Sequence, residues 1–103
     1  MVSIEACSFA RQRKQSYTTG RGKMAKVYAR VLQEAGDELG GALKKFKRFN
    51  SAHEGYAVLL EEVRELEKEV FKRQKKRKPA KMRKEACQVA AIALRFMLDV
   101  CDR

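Results

Sequence analysis

The chain reads as an all-α protein: a small helical bundle whose C-terminal part is an antiparallel helical hairpin and whose core is completed by oligomerisation. Three observations predict this. Apolar residues recur at helical spacing over most of the 103 residues, and no stretch alternates as a half-buried strand would. A capping-box pattern, Ser51 to Glu54, opens the longest uninterrupted helical segment. The single proline, Pro79, stands where one helix must end and the next begin. A chain this short buries only a modest part of its surface, and so few helices cannot cover the apolar faces on offer.

Residues 1–20 show no sustained period and include Ser16, Thr18, Thr19 and Gly20, which reads as an N-terminal arm, disordered or forming a short first helix. Residues 21–103 read as one all-α domain. Over 22–47, Val27, Tyr28, Val31, Leu32 and Ala35 share a face, and Gly36, Gly40 and Gly41 weaken the helix, so a break or bend is expected near Gly40. The next helix is expected from about Ala52 to Gln74, with Leu59, Val63, Leu66 and Val70 as its core stripe. A basic connection leads to a last helix from about Ala80 to Asp102, with Met82, Ala86, Val89, Ala90, Ala93, Met97 and Val100 on one face.

The composition, 45% hydrophobic and 36% charged, is that of a globular domain, and no apolar run approaches the roughly 20 residues a membrane span needs. Arg11, Arg13 and Lys14 interrupt any signal-peptide core, and three cysteines without a CxxC pair suit a reducing compartment, so a cytoplasmic location is expected. Cys87 and Cys101 fall among apolar helical residues and read as small core hydrophobes. One histidine, His53, cannot build a histidine-based metal site alone, and neither a glycine-rich phosphate loop nor a nucleophile–base pattern is present.

The net charge of +11 is unevenly distributed. Residues 51–71 carry six acidic and two basic groups, whereas residues 72–84 carry nine basic groups and no acidic one. Glu62, Glu65 and Glu69 fall beside the expected core stripe of their helix, with Glu61 one turn before Glu65. On the last helix Glu85, Gln88, Ile92, Arg95 and Asp99 share a face. Like charges at such spacing repel by a few tenths of a kcal/mol per pair, roughly, and a hard divalent cation removes the repulsion. Helical bundles build carboxylate metal sites from such facing positions, although a solvated acidic face is the simpler reading of the spacing alone.

Glu61-Glu62-Val63-Arg64-Glu65, a basic helix–helix connection and then Glu85-Ala86-Cys87-Gln88 resemble the MazG-like, all-α nucleoside triphosphate pyrophosphohydrolase superfamily, whose pattern is EExxE followed on the next helix by ExxD. The segment FNSAHEGYAVLLEEV is also similar to the short MazG-like proteins of phages and bacteria, and the resemblance spans about Phe49 to Asp102. It implies a Mg²⁺-dependent enzyme, a homodimer or homotetramer, that cleaves a nucleoside triphosphate to the monophosphate and pyrophosphate. Carried over by position, Glu62, Glu65, Glu85 and Gln88 are the metal ligands, Glu61 and Glu62 the catalytic carboxylates, and Lys81, Lys84 and Arg95, with Arg83, the cations near the nucleotide. Gln88 stands where the family has Asp; an amide coordinates through its carbonyl but brings no charge and cannot act as a base. Asp99 lies roughly 16 Å farther along the helix axis, too far to replace it. Two rival readings remain: a basic helical module that binds nucleic acid through KRQKKRK, and a catalytically inactive MazG-like oligomer.

Overall fold

The structure, a computed structural model, describes residues 21–102; the expectation for residues 1–20 falls outside them. Three α-helices follow one another: α1 over Arg21–Lys45, α2 over Ala52–Val70 and α3 over Pro79–Phe96, with a 3-10 turn at Gln74–Lys76 and a π turn at Met97–Cys101. The described residues contain no strand, and no helix is long and apolar enough to cross a membrane. The chain divides into two compact units at Leu32/Gln33, within α1. In the first unit, α1 presents Tyr28, Val31 and Leu32 as exposed apolar residues. The second unit holds the rest of α1 and the packed hairpin of α2 and α3.

Four expectations need correction. Helix α1 runs unbroken through Gly40 and Gly41: nothing lies within 4 Å of a Cβ built on either, so their cost is one of propensity and not of geometry. The capping box is half formed. The Ser51 hydroxyl accepts from the amide of Glu54 at 3.1 Å, but the Glu54 carboxylate accepts from the Asn50 side chain at 3.0 Å in place of the Ser51 amide. Helix α2 stops at Val70 and not at Gln74: Phe71 makes the last helical bond, to the Glu67 carbonyl, and the Arg77 side chain donates to the Lys72 carbonyl beyond it. Cations at a helix C-terminus suit its dipole, but consecutive ones repel, and the chain turns there. Lys78 is extended, as a residue before proline should be, and Pro79 starts α3.

The largest correction concerns which faces meet. On α2 the residues turned inward include Gly55 and Glu69, both buried, with Val58 and Glu62 half-buried; Val63 and Val70 of the expected core stripe are exposed. On α3 the buried residues are Glu85, Ala91 and Arg95, with Asp99 just beyond, while Ala86, Ala90 and Met97 of the expected apolar face are exposed. By helical geometry the buried and apolar stripes are about 70° apart on α2 and about 140° apart on α3. The hairpin therefore buries its polar seam most deeply, while its apolar stripes are half-buried at Leu59, Leu66, Met82, Val89, Ala93 and Val100 and exposed elsewhere. The fully apolar core reduces to Ala35, Phe49 and Ala91.

Close approach of the helices depends on Gly55. A Cβ there would lie 2.7 Å from Cδ2 of Phe96 and 3.1 Å from Cδ2 of Phe49. Gly55→Ala should therefore destabilise the fold by about 1–3 kcal/mol through overpacking. Gly40→Ala and Gly41→Ala, which add a methyl to open helix surface, should each stabilise it by up to about 1 kcal/mol. Urea denaturation of the three variants checks both signs.

Candidate carboxylate site between two helices

Glu62 on α2 and Glu85 on α3 meet across the seam at Gln88. The Gln88 amide, with its nitrogen facing the two carboxylates, donates to Oε2 of Glu62 at 3.1 Å and to Oε2 of Glu85 at 3.0 Å. This orientation satisfies both acceptors, whereas the reverse would set a carbonyl against two carboxylates. Among the described residues no Lys or Arg lies within 4 Å of the Glu61, Glu62 or Glu85 carboxylates. Burial, reinforced by the charges of Glu85, Glu65, Glu61 and Glu38, pushes the Glu62 carboxyl above its ordinary value. Glu38 comes from α1, and sequence reasoning missed it because nothing in the spacing within α1 ties it to the acids of α2.

The remaining expected site residues are distributed differently. Glu61 is exposed. Glu65 is exposed and pairs with Lys68 at 3.1 Å. Glu69, the alternative acid on that strip, is buried and pairs with Lys72 at 2.9 Å. Lys81 and Lys84 are exposed, Lys81 one turn before Glu85 on α3, and Arg83 pairs with Glu34 of α1.

Arg95 is buried and held from three sides: Nε donates to Oδ2 of Asp99 at 3.1 Å, Nη2 donates to the Lys47 carbonyl, and the guanidinium stacks 4.1 Å from the Phe49 ring centroid. Asp99 also accepts from the Phe49 amide at 3.2 Å and faces Arg48 at 3.8 Å. This pair ties the 47–49 connection to the end of α3. The π turn, closed by the Asp102 amide on the Met97 carbonyl, follows directly and takes the place of the α-helix expected through Asp102. A cavity of about 410 Å³ opens beside Glu62, with Phe46, Asn50, Val58, Ile92 and Arg95 among its walls.

Cys87 is half-buried, and burial, with the negative charges of Glu38 and Glu34, raises its thiol despite Arg83, so it stays protonated and unreactive. Cys101 is exposed on the π turn and is not the core residue its neighbours suggested.

Among the described residues no three His, Cys, Asp or Glu side chains converge as a metal-binding group. Mg²⁺, however, keeps several waters and takes one or two protein carboxylates, with substrate phosphates supplying the rest. Glu62, Glu85 and the Gln88 carbonyl, after a half-turn of its amide, make such a donor set, so the residues present fit that ion. The chain matches no family model, no curated protein and no solved structure.

Two measurements probe these groups. Because Glu62 holds its proton more tightly folded than unfolded, its contribution to stability declines as pH rises from the ordinary 4.5 through the raised folded value. Glu62→Gln should flatten that decline when urea midpoints are compared between about pH 4 and pH 8. Asp99→Ala leaves Arg95 buried without its partner and should cost about 3–5 kcal/mol; Asp102→Ala, at an exposed position, should change stability by less than about 0.5 kcal/mol.

Proposed function

We propose that the chain is a Mg²⁺-dependent nucleoside triphosphate pyrophosphohydrolase of the MazG-like kind, forming the monophosphate and pyrophosphate. The observation that supports this most is the meeting of Glu62 and Glu85, from facing helices, on one shared donor with no basic side chain within 4 Å among the described residues. Such a pair is costly to an isolated fold and suited to a hard cation.

When bound, Mg²⁺ supplies neutralisation of the triphosphate charge. Glu62 and Glu85 would hold it, with the Gln88 carbonyl as a third donor. In this reading Glu61, exposed and without a basic partner among the described residues, takes the proton of the attacking water, a role closed to the Gln88 amide. Lys81 and Lys84 are exposed, with no carboxylate within 4 Å among the described residues, and so are available to phosphate oxygens. Arg95 belongs to this proposal as a positioning residue, since its guanidinium already holds the 47–49 connection against α3.

The same reading includes a homodimer or homotetramer in the cytoplasm. Its support is the outward turn of the apolar stripes, Val63 and Val70 on α2 and Ala86, Ala90 and Met97 on α3, which a second copy would cover.

The test is pyrophosphate release from a panel of ribo- and deoxyribonucleoside triphosphates with and without Mg²⁺. Release should require Mg²⁺, fall at least about 100-fold in Glu62→Ala with helicity retained, and need less Mg²⁺ in Gln88→Asp, which adds a charged ligand. A folded chain that releases none from any triphosphate would sink the enzyme reading and leave the inactive oligomer.

A further inference from the structure

We propose that the connection between α2 and α3, together with Phe71 at its base, is a docking surface for single-stranded nucleic acid. This surface is separate from the carboxylate site and does not rest on the hydrolase reading. Of the nine basic residues between 72 and 84, only two are neutralised, Lys72 by Glu69 and Arg83 by Glu34. Arg77 donates to the Lys72 carbonyl, which holds the turn in shape while keeping its charge. On the connection itself Arg73, Lys75, Lys76 and Lys78 are exposed and have no carboxylate within 4 Å among the described residues. So many like charges on one short connection repel one another, and a polyanion removes that repulsion.

An independent observation narrows the class of polyanion. Phe71 is 77% exposed, more than any other large hydrophobic residue described, because α2 ends at Val70 and releases it from the helix. With Arg64, Glu67 and Lys68 it lines an open depression of about 450 Å³ that adjoins the basic turn. An exposed ring that shares its depression with Arg64 and directly precedes the basic turn in the chain suits a strand whose bases are free to stack while its phosphates meet Lys and Arg. A duplex keeps its base faces inside the stack and would leave the ring without a partner. The acidic seam also bounds the surface: Glu62 lies about 12 Å along α2 from Val70 and repels phosphates beyond the tip.

The experiment is fluorescence anisotropy of a labelled oligothymidylate of about 12 nucleotides with the full chain, in the presence of a divalent-ion chelator. Affinity should fall steeply with salt. Lys75→Gln/Lys76→Gln/Lys78→Gln should reduce the slope of log affinity against log salt by about 2. Phe71→Ala should weaken binding roughly 5- to 150-fold, and Phe71→Tyr should restore it. All these positions are exposed, and circular dichroism checks that each variant keeps its helices. Absence of binding at low salt, equal affinity of the Phe71→Ala protein, or equally tight binding of a duplex of the same length would overturn the proposal. So would binding of phosphatidylserine vesicles that depends on Phe71 while binding of the oligonucleotide does not.

Discussion

Arg95 and Asp99 stand one turn apart at the end of α3, each almost sealed from water, and the rest of the second unit is organised around their pairing. A buried ion pair contributes stability only when its spare hydrogen-bonding capacity is also met. Here the Lys47 carbonyl and the Phe49 amide meet part of it, so the connection between α1 and α2 is drawn onto α3. Phe49 is thereby set under the guanidinium and against Gly55, which admits the ring because it has no side chain of its own. Removing any one of these groups strands a charge, an amide or a ring edge. Farther along the same seam, Gln88 joins Glu62 to Glu85.

A hairpin closed by polar groups has a different energetic character from one closed by leucines. Hydrophobic contacts tolerate rotation of a helix by tens of degrees, whereas hydrogen bonds between specific atoms do not. The polar seam therefore fixes the register of α2 against α3, while the apolar residues left outside are free to serve association. Lone hydrophobic side chains on a surface are ordinary, but stripes of them along both helices of a hairpin mark a face that another chain can cover.

The sequence disclosed the helices and their order because helical periodicity is a local signal, and Pro79 and Ser51 act on their immediate neighbours. Helix spacing also disclosed that the polar edges of the two helices could meet, and the resemblance named Glu62, Glu85 and Gln88 among the residues there. What it did not disclose was the choice between two faces of each helix. Apolar spacing alone favoured Val63 and Ala90 as core, whereas the buried seam is held by pairings such as that of Asp99 with the Phe49 amide, fifty residues apart, which no local period encodes. The end of α2 was not legible for a related reason: the chain beyond Phe71 is held by the Arg77 side chain reaching back to the Lys72 carbonyl, a contact no local rule anticipates.

The Gln88 amide has a consequence of its own. A carboxylate at that position would add a further negative charge between Glu62 and Glu85, and in the empty site it could ease the crowding only by keeping a proton that it must surrender before accepting a cation. An amide presents a donor on one edge and an acceptor on the other, and exchanges them by rotation about a single bond. If the proposed cation binds there, the step from an empty to an occupied site would require no proton release at Gln88 itself, and this position would act as a mechanical and not an acid–base element of the seam.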